Sequence, residues 1–418
     1  MKGWAFSIGL AVAATAGASP ASNVPPPADQ ELARDMLKTL VEINTTHENG
    51  STAAATAIQG WLSSAGFAAG DVVFVAPPDH PTKGNIVVRY RGKHAGNAVL
   101  FLGHLDVVEA KPEDWSVDPF KLTEQDGWFY GRGTIDMKDG DAALVVNLDG
   151  GGGNTKNGQR LFFEVGTSEK TYVTFTVETT SPGGHGSLPG PDNAIYRLAA
   201  GLVRLQAFKF PVTLTATTRT SFDKLAALES GSVAADMHAV AQSPPDLEAA
   251  ERLSQNVRLN AELRTTCVAT LISGGHAENA LPQRAKATIQ CRMLPGDSAA
   301  NVQQLLVGAL ADPAIHIALD APPIVSPESP PTAQIMKKVT LLAHSMWPDV
   351  PVIPTMATGF SDDRQTRGAG MVSYDISGVW EDVDENRAHG KDERVGVRAY
   401  DESVEFTYRL IKVMSSAK

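Results

Sequence analysis

The chain has 418 residues, enough for two or three domains with separate hydrophobic cores. Charged residues make up 20% of it, and 47 acidic residues against 36 basic ones give a formal net charge of -11. This acidic balance argues against nucleic acid or an anionic membrane as the main partner.

Residues 1–18 have the pattern of a secretory signal peptide. Lys2 supplies the positive start, residues 4–16 are apolar, and residues 16–18 offer small side chains for cleavage. The apolar run is too short to cross a bilayer, and no later stretch is long enough. We therefore expect a secreted protein, periplasmic or extracellular, with no membrane partner. A buried N-terminal helix is the alternative.

The first third of the mature chain alternates helical and strand patterns. Helices are predicted at 29–44 and 51–65, and strands at 71–75, 85–90 and 98–102. Such alternation is typical of an α/β layer fold with a largely parallel sheet.

The middle of the chain has a different pattern, with β-branched and polar residues alternating at 171–179. The further predicted elements are a helix at 193–208, strands at 266–272, 285–293 and 371–374, and helices at 300–310, 332–347 and 398–414. We interpret residues 173–295 as an α+β domain inserted into an α/β domain that comprises 19–172 and 296–418.

Two cysteines, Cys267 and Cys291, are present. Both lie in predicted strands that a glycine turn would join, so in an oxidising compartment they are candidates for a disulfide. Two small buried thiols are the equally acceptable alternative.

Four segments carry residues suited to metal binding. His104 and Asp106 follow an apolar strand, where sites in α/β sheets form. Asp136 follows a glycine-rich turn, Asp149 precedes four glycines, and His389 lies next to a glycine near the chain end. Zn²⁺ accepts this mixture of imidazole and carboxylate ligands. Taken singly, each residue also fits a structural histidine, a helix cap or a solvated loop.

Together these segments, in this order and with Gly183-Gly184-His185 between them, resemble the M20 family of zinc metallopeptidases. The resemblance covers nearly the whole mature chain. It implies an α/β catalytic domain of the phosphorylase/hydrolase-like class and an inserted lid that makes a homodimer. It also implies hydrolysis of a small peptide or an N-acyl amino acid.

Carried over by position, the resemblance implies two zinc ions per subunit. His104 and Asp149 belong to the first ion and His389 to the second, with Asp136 bridging both through a loop that contains a cis peptide bond to Met137. Asp106 is implied to hold the ring of His104.

The lid supplies further residues by the same resemblance. His185 is implied to stabilise the tetrahedral oxyanion. The substrate-binding positions are implied to be Asn279, Arg292, Ser361 and Arg364.

The chain departs from the family in one respect: it contains no Glu-Glu pair. In the family the first glutamate is the general base and the second a zinc ligand, both between Asp136 and Asp149. Only twelve residues separate these positions here, too few for the two crossovers expected. We infer an internal deletion of roughly forty to fifty residues. Glu164 and Glu169 are the nearby carboxylates considered as substitutes.

Three interpretations follow. The first is an M20-type hydrolase whose activity is impaired and which holds two zinc ions or only one. The second is a non-catalytic protein that binds zinc or peptide, and the third is a defective gene product. All of them require the rings of His104 and His389 to converge.

Overall fold

A computed structural model describes residues 22–92, 98–144, 151–359, 361–385 and 387–416. The predicted signal peptide at 1–18 therefore lies outside the described residues. Within those ranges, no helix combines the length and the hydropathy needed to cross a bilayer.

The described residues form helices and strands in an α/β arrangement. The helices are α1 (Pro27–Glu42), α2 (Thr52–Ser64), α3 (Lys138–Leu144), α4 (Ala194–Ala207), α5 (Ala216–Ala226), α6 (Gly231–Ala241), α7 (Leu247–Leu253), α8 (Val257–Leu263), α9 (Ala299–Leu310), α10 (Ala333–Met346), α11 (Asp363–Gly368) and α12 (Val397–Ser415). The strands are β1 (Val72–Val75), β2 (Asn85–Val88), β3 (Thr123–Gln125), β4 (Trp128–Tyr130), β5 (Gly152–Lys156), β6 (Gln159–Glu169), β7 (Thr171–Thr180), β8 (Gly184–His185), β9 (Thr266–Gly274), β10 (Ala280–Leu281), β11 (Arg284–Met293), β12 (His316–Leu319), β13 (Val352–Ala357), β14 (Trp380–Asp382) and β15 (Arg394–Gly396).

The central sheet of the catalytic region has the strand order β13-β6-β5-β14. Two of its pairings, β13 with β6 and β14 with β5, are parallel, and the pairing of β5 with β6 is antiparallel. A three-stranded sheet (β15-β4-β3) and a hairpin of β1 and β2 lie beside it. The largely parallel sheet predicted from the sequence therefore corresponds to a mixed sheet in which parallel pairing predominates.

Two predicted strands are wrong. Residues 98–102 form no strand, and within the described residues their backbone makes no hydrogen bond. Residues 371–374 are likewise irregular, although Asp375 next to them bridges to Gly166 of β6. A strand requires a neighbour to pair with, and only the seven-residue α3 is described between Asp136 and residue 145.

A groove of about 540 Å³ lies between these two irregular segments. It is lined mainly by apolar side chains, among them Leu100, Met371 and Leu410. Leu100 is 60% exposed. The groove is therefore a gap in the catalytic region beside an extended segment that has no pairing partner.

Aromatic rings form the core between the central sheet and helices α10 and α12. Phe163 of β6 stacks 5.7 Å from Trp347, and Phe406 of α12 lies 5.2 Å from Phe163. Trp380 of β14 contacts Trp347 edge-on at 5.0 Å. All four rings are buried, so this cluster fixes where β14 lies against its neighbours.

Gly152 and Gly153, the last two glycines of the run that follows Asp149, begin β5. A Cβ at Gly153 would lie 2.0 Å from the ring of Trp380. Strand β5 can therefore pair with β14 only because this position has no side chain.

A second sheet has the order β12-β7-β11-β9, with α4 and α9 packed against it. Strands β7, β9 and β11 lie within or at the start of the predicted insertion at 173–295, whereas α9 and β12 follow that range in the sequence. Cys267 of β9 and Cys291 of β11 are direct cross-strand partners and form a disulfide, which decides between the two alternatives. Strand β9 is the edge of this sheet and is mostly exposed.

Helices α5–α8 were not predicted. They form their own apolar cluster around Phe222 and Val240. Helix α5 lies against the central sheet, since Lys224 donates to the carbonyl of Val352 at 3.2 Å and the hydroxyls of Thr217 and Thr167 are 2.7 Å apart. These helices therefore contact the catalytic sheet, although their sequence lies within the predicted lid.

Candidate functional site

His104 lies just beyond the unpaired segment 98–102. Its Nδ1 is 3.0 Å from the backbone oxygen of Asp106, whereas the nearest carboxylate oxygen of Asp106 is 3.8 Å away. The ring is therefore oriented by the backbone of Asp106 more closely than by its side chain. Gly103 allows a close approach here, because a Cβ would lie 2.5 Å from an oxygen of Asp141.

Asp136 is presented by the glycine-rich turn that follows β4, and its peptide bond to Met137 is cis, as the resemblance implied. The backbone of this turn is hydrogen-bonded to Glu393, which is fully buried. Oε1 of Glu393 accepts the backbone N–H groups of Gly133 and Ile135 at 3.0 Å each, and that of Asp136 at 3.3 Å. Glu393 thus fixes the backbone that carries Asp136.

Arg132 completes this support. Its guanidinium pairs with Oε2 of Glu393 and donates to the carbonyl of Gly390 at 2.9 Å. Because Gly390 follows His389, the same ion pair ties the two loops that carry Asp136 and His389. The supporting roles of Arg132 and Glu393 were not predicted, although Arg132 lies in the glycine-rich turn before Asp136 and Glu393 lies four residues after His389.

The rings of His104 and His389 meet at Asp136. Nε2 of His104 is 3.0 Å from Oδ1 of Asp136, and Nε2 of His389 is 2.7 Å from Oδ2. The convergence on which the sequence interpretation depended is therefore confirmed. Each imidazole faces a different oxygen of a single carboxylate.

The electrostatics of Asp136 follow from this arrangement. Burial alone would raise its pKa, but the hydrogen bond and charge of His104, together with those of His389, outweigh burial and hold the pKa of Asp136 below its ordinary value. The carboxylate is thus negatively charged near neutral pH and suited to binding a cation.

Within the described ranges, no three His, Cys, Asp or Glu side chains are spaced as a formed metal centre. Asp149, the further predicted ligand, lies outside the described residues. The donors that are described nevertheless fit a divalent ion in chemistry, because two imidazole nitrogens and a shared carboxylate are ligands that Zn²⁺ accepts. A bound ion would replace the two direct imidazole–carboxylate contacts.

His185 and Asn279 are neighbours in the inserted domain. Strands β8 and β10 pair His185 with Ala280, the residue after Asn279. The backbone N–H of Gly186 donates to the carbonyl of Asn279 at 2.7 Å. The ring of His185 is exposed, with Nδ1 at 2.7 Å from the hydroxyl of Ser187.

Arg292 and Arg364 occupy a common region at the junction of the two sheets. Arg292 stacks 5.0 Å above the ring of Tyr172. Burial, and to a smaller degree the charge of Arg364, lower the pKa of Arg292. Tyr172 and Arg364 line a cavity of about 330 Å³ together with Lys170 and Ile324. Arg364 lines this cavity, and Arg292 stacks on Tyr172, which also lines it, so the positive charge in this region suits an anionic ligand group.

Ser361 faces the protein interior. It is 6% exposed, its N–H donates to Glu169 at 2.5 Å, and its hydroxyl accepts the N–H of Asp363 at 3.2 Å. The hydroxyl therefore supports the loop in this structure, and its contact with substrate stays a prediction.

A buried ionic cluster, not predicted, surrounds that loop. Arg367 donates to Glu169 at 3.1 Å, to Asp363 at 2.9 Å and to Asp375 at 3.2 Å. Burial, and then the charge of Asp363, raise the pKa of Asp375 well above its ordinary value. This cluster could not be predicted from the sequence, because its members come from three separate segments.

Comparison with known proteins agrees with this arrangement. The family model for peptidase family M20/M25/M40 matches residues 100–150, and that for the M20 peptidase dimerisation domain matches residues 167–318. The N-fatty-acyl-amino acid synthase/hydrolase PM20D1 of Homo sapiens is 25% identical over 371 residues, covering 75% of this chain and 73% of the relative.

Solved structures show the same fold. An M20 family metallo-carboxypeptidase from Sulfolobus solfataricus superposes with a TM-score of 0.64 at 14% identity, covering 91% of this chain and 98% of that protein. A dinuclear metal-binding M20 peptidase from Bacillus subtilis has a TM-score of 0.56 at 10% identity, covering 93% and 99%. The chain therefore has the M20 fold and matches M20 family models in its catalytic and dimerisation regions, which supports an enzyme of the M20 peptidase type.

Proposed function

We propose that the protein is a zinc-dependent amidohydrolase that cleaves the amide bond of an N-acyl amino acid or a small peptide with water. The observation that carries this proposal is the meeting of two histidine rings, His104 and His389, on the two oxygens of Asp136. The names of the human synthase/hydrolase and of the archaeal carboxypeptidase support these two substrate classes.

Zinc would be held by His104, Asp136, Asp149 and His389, with two ions in the complete set. When bound, it supplies an activated water and polarises the scissile carbonyl. The other proposed roles belong to the protein's own side chains. The backbone carbonyl and the carboxylate of Asp106 orient the ring of His104.

Substrate contacts are proposed for the inserted domain and the adjoining loop. His185 donates a hydrogen bond to the oxyanion, and Asn279, Arg292 and Arg364 bind the substrate carboxylate. The half-buried guanidinium of Arg364 in the cavity wall, with that of Arg292 stacked on the neighbouring Tyr172, supports binding of such an anion. Ser361 contributes by holding the loop that carries Arg364.

The missing Glu-Glu pair predicts impaired activity. The alignment with the human relative spans 371 positions, whereas the aligned 75% of this 418-residue chain amounts to about 314 residues. The human relative therefore has residues in the aligned region that this chain lacks. General acid–base catalysis is typically worth about 10²–10⁴-fold in rate, which is the loss expected if no other base replaces it. A protein that binds zinc or peptide without turnover is the second candidate.

Metal content and turnover of the purified protein test these alternatives. We expect one or two zinc ions per chain and slow hydrolysis of N-acyl amino acids or dipeptides. Replacing His389 with alanine should abolish part of the zinc binding, whereas replacing His238, which pairs with Asp223 on the exposed surface, should not. Zinc without turnover supports the binding protein, and failure to bind zinc refutes the proposal.

A homodimer is proposed through the edge strand β9. Val268, Leu271 and Ile272 on this strand are more than half exposed, and an unpaired apolar edge favours association with another strand. Leu271→Glu should shift the protein to monomer in sedimentation, whereas Val257→Glu on the surface of α8 should not. A dimer that persists in the Leu271 variant would place the interface elsewhere.

We also propose that the protein is secreted, with the periplasm as its destination. The disulfide between Cys267 and Cys291 supports an oxidising compartment, since such bonds rarely persist in a reducing cytosol. Cell fractionation tests this: recovery only in the cytosol with reduced thiols contradicts it.

A further inference from the structure

Arg364 is carried by a helix that is too short to be stable by itself. Helix α11 spans six residues, and its N-cap Asp362 makes no side-chain capping hydrogen bond. An isolated helix of this length is not stable in water, so contacts outside the helix must fix the direction in which Arg364 points. Arg367, three residues further along the same helix, makes such contacts and is almost fully buried.

The guanidinium of Arg367 connects this helix to both chain segments that join the catalytic region to the second sheet. It donates at 3.1 Å to Glu169, the last residue of β6 before the chain enters β7. It also donates at 3.3 Å to the hydroxyl of Ser329, in the segment between β12 and α10. Glu169, considered above as a substitute for a missing glutamate, is therefore engaged in fixing the helix that carries Arg364.

The remaining partners of Arg367 come from its own helix and from the segment that follows. The guanidinium donates to Asp363 at 2.9 Å, to the carbonyl of Ser373 at 3.1 Å and to Asp375 at 3.2 Å. Asp375 bridges in turn to Gly166 of β6. A planar guanidinium makes several hydrogen bonds in fixed directions, which the ammonium of a lysine on its flexible stem does not. The geometry of this network therefore depends on an arginine.

Tyr172 relates the same network to Arg292. It lies three residues after Glu169, and it lines the cavity that Arg364 also lines. The guanidinium of Arg292 stacks 5.0 Å above the ring of Tyr172. The short segment 169–172 is thus bonded to the Arg364 helix at one end and packed against Arg292 at the other.

We propose that Arg367 is a positioning residue for substrate binding: it sets the place of Arg364 relative to Arg292, so that both guanidinium groups meet one carboxylate. This inference rests on the proposed function, in which those two arginines bind the carboxylate of the substrate. Arg367 itself is 1% exposed and is not among the residues that line the cavity. Its effect on binding should therefore appear only through Arg364.

The test compares N-acetylleucine with N-acetylleucinamide, in which a neutral amide replaces the carboxylate. KM and kcat are measured for both compounds, and calorimetry on the metal-free protein gives both affinities without turnover. In the wild type we expect the acid to bind about 10–100-fold more tightly than the amide, because hydrogen bonds to a charged group are lost in the amide. Arg364→Gln should remove most of this preference.

Arg367→Lys keeps the buried positive charge but removes the fork of donors. We expect the preference for the acid to fall about tenfold, through KM and with kcat nearly unchanged. Adding Arg364→Gln to this variant should lower the preference no further than Arg364→Gln alone, because one residue acts through the other. The matched control is Arg264→Lys, which changes another buried arginine, paired with Glu251, and should leave the preference as it is.

The outcomes separate this inference from the function on which it depends. A folded Arg367→Lys protein with the wild-type preference would overturn the inference and leave the hydrolase intact. Losses that add in the double variant would also overturn it, since Arg367 would then be a general support of the fold. If circular dichroism shows that Arg367→Lys does not fold, Glu169→Gln breaks the same contact with the same expectations. A wild type that binds acid and amide equally would refute the proposed role of Arg364 itself.

Discussion

Replacing Glu393 with glutamine should destabilise the protein more than any comparable surface change. The substitution keeps the size of the side chain but removes the charge opposite Arg132, whose side chain is 3% exposed. It also puts an amide donor where one of the carboxylate oxygens accepts hydrogen bonds. Removing one partner of a buried ion pair costs about 3–5 kcal/mol.

Urea unfolding followed by fluorescence measures this cost, and hydrogen exchange locates it. Exchange should accelerate in residues 131–136, which Glu393 holds, and zinc affinity should fall because Asp136 lies in that loop. The matched control is Asp384→Asn, which breaks the exposed pair with Lys156 and should cost about 0–1 kcal/mol. Equal unfolding curves for the two variants would refute the role assigned to Glu393.

Three further predictions concern other parts of the molecule. Gly153→Ala should cost about 1–3 kcal/mol in urea unfolding, because the new methyl group would overlap the ring of Trp380; an unchanged midpoint would contradict the close packing. Replacing Cys267 and Cys291 with serine should cost about 3–4 kcal/mol through the loop of 24 residues that they close, measured against the oxidised wild type; equal stability would mean that the disulfide is not formed in solution. Burial raises the pKa of Glu381 from its ordinary 4.5 to about 7 in the folded protein. Between these two pH values only the unfolded chain releases the proton, so the free energy of unfolding of the metal-free protein should fall by up to roughly 3 kcal/mol as the pH rises. Glu381→Gln should remove that loss, and an identical pH dependence in both proteins would exclude the raised pKa.

Much of the fold could be predicted from periodicity. Helices α1, α4 and α12 begin and end within about two residues of their predicted bounds, because their apolar spacing and end residues were clear. Strands β7 and β11 were equally clear from their alternation. The predicted strand at 98–102 was wrong, because a strand there would need a neighbouring strand that this sequence does not contain.

The candidate site was predictable to a smaller extent. His104, Asp136 and His389 stand in recognisable motifs, and their convergence followed from the resemblance. The supporting roles of Arg132 and Glu393 could not be found in this way, because they depend on how the loops that carry Asp136 and His389 meet in the fold. The unpredicted α5–α8 did carry a signal, since Asn256 caps α8 with its side chain.

The unpaired backbone of residues 98–102 links metal uptake to local order. These amides have no ladder to protect them, so they should exchange with solvent far more quickly than those of a paired strand. His104 follows directly, so a cation that fixes its ring would also restrict this unpaired stretch, at an entropic cost of about 1–2 kcal/mol for each residue that becomes ordered. A substitution that orders residues 98–102 in the metal-free protein should therefore increase the affinity for the metal ion, although it changes no metal ligand.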